Sequence, residues 1–94
     1  MTELYDSEKV RKAARAVRGV AEELSEGTTG SQRRAMQASE PLEGKAAEAI
    51  RERLLEVRDQ AQRLQGELSA LAQELERYAE ALEEAGERIT RAMQ

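Results

Sequence analysis

The side chains of this chain that could do chemistry are its carboxylates. The chain has 94 residues, with 19 aspartates and glutamates but no cysteine and no histidine. Thiol nucleophiles, disulfides and thiolate metal sites are therefore excluded, as is the imidazole proton shuttle that works near neutral pH. An enzyme would have to use glutamates alone, and acid–base catalysis requires a carboxyl pKa raised by burial. Because the glutamates fall on the outward face of a predicted helix, we expect no enzymatic activity, no cofactor and no metal site.

Two stretches of the chain carry opposite charge. Five basic residues lie between Lys9 and Arg18, and six glutamates lie between Glu74 and Glu87 with only Arg77 among them. The net charge of −4 and the lack of aromatic residues beside the basic stretch disfavour nucleic-acid binding. The stretches are either solvated helix faces or partners of each other. If the chain reverses near residue 42, residues 9–18 lie beside residues 66–75, where each exposed ion pair adds at most about 1 kcal/mol.

The longest regular pattern is an apolar stripe in the second half of the chain. From Ala47 to Ala92, apolar or small residues recur at alternating steps of three and four without a gap. This spacing predicts one long helix over about residues 45–92. Such a helix is roughly 70 Å long, too extended to bury its own stripe, so it needs another helix beside it. We expect the larger residues of the stripe to form the partner interface: Ile50, Leu54, Val57, Leu64, Leu68, Leu71, Leu75, Tyr78, Leu82 and Ile89.

The first half of the chain carries a shorter pattern. A second apolar stripe predicts a helix over about residues 6–26, capped by Asp6 or Ser7. The run from Gly27 to Ser31 contains two glycines and two threonines, which disfavour a helix. Residues 27–40 are therefore expected to be irregular or kinked.

A turn is expected between the two helices. Pro41 suits the first turn of a new helix, so the chain is predicted to reverse over residues 41–44. Ser39 or Glu40 is expected to cap the second helix, and Gly44 to let two backbones cross closely. The prediction is a single all-α domain over residues 1–94, an antiparallel helical hairpin with a kinked or broken first helix and one long second helix. Small residues beside the long stripe widen its apolar face, so two hairpins are expected to associate into a four-helix bundle.

The turn segment Leu42-Glu43-Gly44-Lys45 and the alanine-rich helix after it resemble the turn of the small helical hairpins of type VII secretion. Those proteins carry Trp-x-Gly or, in toxin-associated relatives, Leu-x-Gly, and Leu42 and Gly44 occupy these two positions. An ordinary turn between helices is the alternative interpretation. The export signal of that family pairs a tyrosine with an acid four residues later, whereas Tyr78 is followed at that spacing by Leu82. A core residue at the helix seam is the alternative interpretation of Tyr78.

The resemblance implies a non-enzymatic protein that acts as secreted partner or targeting chaperone of a larger LXG-type toxin or effector. The implied partner is a related hairpin, in a homodimer or a heterodimer, or the N-terminal helical region of the toxin. The first residues lack the basic and apolar segments of a Sec leader, and no segment is apolar enough to span a membrane. We therefore expect a cytoplasmic protein or export by a leaderless type VII route. The alternative is a structural homodimeric coiled-coil or helical-bundle module without an export role.

Overall fold

The computed structural model describes residues 6–94, and within them the chain is all-α, without a strand. Helix α1 spans Ser7–Ser39 and helix α2 spans Lys45–Met93. The prediction of an all-α chain with one long second helix is confirmed. The prediction about a leader concerns Met1–Tyr5 and lies outside the described residues, and the assignment of one domain to residues 1–94 stays a prediction.

The residues group into two compact units. The end unit pairs residues 6–19 with residues 68–94, and the turn unit comprises residues 20–67. In each unit a length of α1 packs against a length of α2. The start of α1 is fixed by Asp6, whose Oδ1 accepts a hydrogen bond from the Lys9 amide at 3.2 Å. Of the two predicted caps, Asp6 is therefore the one that caps α1.

Helix α1 does not end near residue 26. The prediction that residues 27–40 are irregular or break the helix is wrong, because α1 continues through Gly27 and Ser31 to Ser39. The hydroxyl of Thr29 donates to the Ser25 carbonyl at 3.0 Å, so it is satisfied inside the helix. The Gln32 side chain donates from Nε2 to the Leu54 carbonyl of α2 at 2.8 Å. Packing against α2 thus outweighs the cost of about 1 kcal/mol that each glycine adds to a helix.

The turn between the helices differs in its details from the expectation. Ser39 does not cap α2, because it is buried and its hydroxyl donates to the Met36 carbonyl at 2.8 Å, at the end of α1. Gly44 accepts the first helical hydrogen bond of α2, from the Glu48 amide at 3.2 Å. Apart from its two chain neighbours, no residue has an atom within 4 Å of the place where a Cβ on Gly44 would sit, but its φ is +70°. The glycine is therefore required by a left-handed backbone, and its interpretation as a close crossing point is wrong.

Two glycine-to-alanine changes should act in opposite directions. We expect Gly44→Ala to destabilise the chain by about 1 kcal/mol, because a side chain disfavours positive φ. Gly66→Ala is the matched control, since Gly66 lies within α2 with open space around it. There alanine should stabilise by up to about 1 kcal/mol. Urea unfolding of the two variants measures both effects, and a Gly44→Ala midpoint at or above that of the unchanged chain would contradict this account.

Candidate partner interface

The faces along which α1 and α2 pack carry small residues. In the end unit Ala14, Ala72 and Ala79 are buried, the last two completely, and in the turn unit Ala21 and Ala47 are buried. Among residues 6–94 no large side chain is fully buried. Alanine contacts let two helices approach closely, but they leave the larger apolar side chains at the margins of the contact.

One edge of the end unit is lined by ion pairs between α1 and α2. Arg11 pairs with Glu83, and Arg18 Nε lies 2.7 Å from Glu76 Oε1. Residue numbers rise along α1 as they fall along α2, so the two helices of this unit are antiparallel. All four side chains of these pairs are more than a third exposed to solvent. Each ion pair therefore contributes little to the stability of the end unit.

The predicted register of the charged stretches is wrong, although their pairing is right. Equal chain lengths on either side of residue 42 would place Arg11 beside Gln73 and Arg18 beside Gly66, where neither arginine meets an acid. In the structure the basic residues instead meet Glu76 and Glu83, which lie about three helical turns further along α2 than the predicted positions. The arginines and the glutamates each repeat at seven residues, so both pairs form together in this register.

The ion pair between Arg18 and Glu76 predicts a pH-dependent contribution to the stability of the end unit. A hydrogen bond from Arg18, aided by its positive charge, holds the pKa of Glu76 below its ordinary value against a partial desolvation that raises it. A depressed pKa in the folded state means that this stabilisation is complete above the unfolded value of about 4.3 and is lost as the pH falls through the folded value.

We therefore expect Glu76→Gln to flatten the loss of stability between neutral pH and about pH 3. The matched control is Glu74→Gln, which removes the same charge from an exposed position. Thermal melts of the unchanged chain and of both variants across this range measure the effect. If the melting temperatures of the unchanged chain and of Glu76→Gln fell equally with pH, the ion pair between Arg18 and Glu76 would have no role in acid stability.

The opposite side of the end unit is apolar. Successive residues of a helix are rotated by about 100°, so Tyr78 lies about 160° around α2 from Glu76. Leu71 and Tyr78 are 42% and 57% exposed. Beside them lie half-buried residues of both helices, and together these residues form what we call the end apolar side: Val10, Val17, Leu68, Leu71, Leu75, Tyr78 and Leu82.

The exposure of Tyr78 bears on both interpretations of that residue. Tyr78 is exposed and is not part of the core of the single chain, so the single chain does not support the interpretation of Tyr78 as a core residue. The acid that follows it, Glu83, pairs with Arg11, and Leu82 is half-buried. Tyr78 therefore presents its ring outward on the end apolar side.

The turn unit has an open apolar groove of about 510 Å³. Gly27, Ser31 and Ala35 of α1 lie on one side of it, and Leu54 and Val57 of α2 lie on the other. The small residues recur every four positions, which places them on one face of a helix. Sequence reasoning missed this row because the segment was expected to be irregular, although the spacing itself was a usable signal.

All ten residues expected at the partner interface lie on α2. Val57, Leu64, Leu71, Tyr78 and Ile89 are each more than 40% exposed. The other five, Ile50, Leu54, Leu68, Leu75 and Leu82, are half-buried. Leu42 of the turn is 43% exposed. The structure thus places these side chains where a second molecule can reach them, and their contact with a partner stays a prediction.

The described part of the chain offers neither a metal site nor a membrane-spanning helix. Within residues 6–94 no cluster of three or more acidic, histidine or cysteine side chains is placed to hold a metal ion. Neither α1 nor α2 has a window apolar enough for a membrane span. The exposed large apolar residues of α2 form the candidate functional surface.

Comparison with known proteins agrees with the turn motif. A family model described as proteins of 100 residues with WXG matches residues 4–87. The chain has no tryptophan and carries Leu42 and Gly44 at its turn. No curated protein and no solved structure gives a significant match.

Proposed function

The chain belongs to the WXG100 family of small helical proteins of type VII secretion, and from this we propose that it is a non-enzymatic secreted partner or targeting chaperone of a larger LXG-type toxin or effector. It works by its surface, through helix packing against the partner. In this proposal the turn residues Leu42 and Gly44 belong to the hairpin architecture and not to a binding site.

One observation carries the proposal, namely the large apolar side chains that the chain leaves uncovered. Leu71 and Tyr78 are about half exposed beside half-buried Leu68, Leu75 and Leu82. Contiguous apolar surface of this kind is typical of interaction sites. Helices of a partner laid over the end apolar side would complete a four-helix bundle, because they would bury the residues that α1 reaches only at their margins.

The export role follows from the family and from the incomplete signal. Tyr78 has Leu82 and not an acid four residues later, so this chain alone does not present the tyrosine–acid pair on one helix face. We propose that the partner supplies the tyrosine–acid export signal. The complex then either leaves the cell by the leaderless type VII route, or this chain remains in the cytoplasm as an escort of the exported partner.

Co-expression with the products of neighbouring genes, followed by pull-down and an export assay, tests this proposal. We expect capture of an LXG-type partner, and we expect Leu71→Asp to abolish both capture and partner export. Leu55→Asp is the matched control, because Leu55 is 50% exposed but lies about 160° around α2 from Leu71. A chain that captures no neighbouring product, or whose Leu71→Asp variant still supports export, would contradict the proposal.

The second candidate function is a structural homodimeric helical-bundle module without an export role. The same exposed side chains favour it, since a second copy could cover them equally well. A host with the secretion apparatus disabled separates the two functions. The escort function predicts loss of the partner from the culture medium, whereas the structural module predicts no change in the distribution of any secreted protein.

A further inference from the structure

The turn unit carries a polar pocket that the proposed function does not involve. The pocket has a volume of about 120 Å³ and is lined by eight residues, four from α1 and four from α2. We propose that this polar pocket binds the carboxylate group of a ligand, with the Arg58 guanidinium as the counter-charge. The inference goes beyond the proposed function and does not rest on it.

The polar pocket is built from one face of each helix. Its lining residues run from Ser25 to Gln32 on α1 and from Arg58 to Gln65 on α2, on both helices at the steps i, i+3, i+4 and i+7. Residues at these steps share one face of a helix. Thr29 of the polar pocket lies about 160° around α1 from Ser31 of the apolar groove. A ligand in the polar pocket therefore leaves the apolar groove open.

The charge of the polar pocket comes from Arg58. Apart from Ala61, the other lining residues carry hydroxyl or amide groups, and none of the eight is an acid. The acid next to Arg58 is Asp59, which does not line the pocket, and Arg58 Nε lies 3.9 Å from Asp59 Oδ1. Because these two side chains are 49% and 59% exposed, their ion pair is weak. The guanidinium is therefore available to a negatively charged ligand.

Neutral groups of the polar pocket supply further hydrogen-bond donors. The Thr29 hydroxyl and Gln32 Nε2 are already used, since each donates to a backbone carbonyl. The hydroxyl of Thr28 and the side-chain amides of Gln62 and Gln65 also line the pocket and can donate to a ligand. A guanidinium binds a carboxylate through two parallel N–H···O bonds, which leaves lone pairs on the carboxylate for these neutral donors.

The size and charge of the polar pocket select a small monoanion. Its volume of about 120 Å³ is the space of about four water molecules, at roughly 30 Å³ each. A carboxylate with one or two carbons behind it fits this space, whereas a nucleotide does not. One guanidinium balances the single charge of a carboxylate. The carboxylate can belong to a free small acid or to an aspartate or glutamate side chain of another protein.

Titration of the chain with sodium acetate, followed by NMR of the amide groups, tests the proposal. Sodium chloride keeps the ionic strength constant, so that only specific binding changes the spectrum. We expect saturable shifts within residues 25–32 and 58–65, with a dissociation constant on the order of 1–10 mM. Shifts that do not saturate would overturn the proposal.

Two substitutions of Arg58 separate a bidentate contact from a general effect of charge. Arg58→Gln should raise the dissociation constant for acetate at least about tenfold. Arg58→Lys should raise it less, because an ammonium group keeps the charge but not the paired donors. Arg63→Gln is the matched control, since Arg63 is exposed and does not line the pocket, and it should leave binding unchanged. Equal binding by Arg58→Gln and Arg63→Gln would overturn the proposal.

A second titration distinguishes the two sources of the carboxylate. It uses glutamate blocked by an acetyl group and an amide, which presents the side chain as a protein does. Tighter binding than acetate indicates a side chain of another protein as the ligand, and weaker binding indicates a free small acid. Both titrations use this chain alone, so their failure would leave the proposed function standing.

Discussion

Replacement of Leu71 by aspartate is expected to abolish association of this chain while leaving its helices folded. Leu71 is 42% exposed in the single chain, so its charge can stay hydrated in the monomer. In a bundle the same carboxylate would be buried without a partner, which costs several kcal/mol. That cost corresponds to a weakening of at least about a hundredfold in the association constant.

Light scattering after size exclusion measures the association, and circular dichroism measures the helices. Leu55→Asp makes the same chemical change on the other side of α2, where Leu55 is 50% exposed, and should leave association unchanged. Leu68→Asp should be more severe, because Leu68 is half-buried within the chain itself and its charge would weaken the end unit as well. If Leu71→Asp and Leu55→Asp behaved alike, the end apolar side would not be the interface.

Enlargement of a buried alanine is expected to give the largest loss of stability within the chain. Ala79 has no exposed surface, so Ala79→Leu would force α1 and α2 of the end unit apart. Overpacking of this kind costs roughly 1–3 kcal/mol. For a chain of this length that loss lowers the melting temperature by about 5–20 °C.

The control for this change is Ala81→Leu, two residues further along α2. Ala81 is exposed, so a leucine there meets solvent and keeps good helix propensity. Thermal melts should show a clear fall for Ala79→Leu and almost none for Ala81→Leu. Equal melting temperatures for the two variants would mean that α1 does not approach α2 at Ala79.

The long helix could be predicted because its signal is local and repeated. The three–four spacing continues without a gap, so about 45–92 was expected and Lys45–Met93 was found. The cap at Asp6 was predictable for the same reason, since a side-chain oxygen needs an amide only three residues away. The turn motif at Leu42 and Gly44 pointed to the family that the comparison then showed.

The features that the sequence did not predict depend on the tertiary structure, chiefly on contacts between residues far apart in the chain. The segment from Gly27 to Ser31 disfavours a helix by propensity, and it is helical because α1 packs there against α2, where Gln32 reaches the Leu54 carbonyl. The groove in the turn unit is not predicted from the sequence either, because its α1 wall is formed by this same segment. Likewise, the sequence around Gly44 suits a close crossing of two backbones as well as a turn, and only the backbone φ of +70° shows that the glycine is needed for its conformation.

By itself the sequence determined that this chain is helical, where α2 lies, that it has no thiol or imidazole chemistry, and that its apolar stripe exceeds what one chain can cover. These follow from residue types and from periodicity along a single helix, which do not depend on a neighbour. Only the tertiary structure decided the register that joins Arg18 to Glu76, the burial of Ala72 and Ala79, and the exposure of Leu71 and Tyr78. Those depend on which face of α2 meets α1, and the same stripe offers several faces at nearly equal spacing until packing and charge select one.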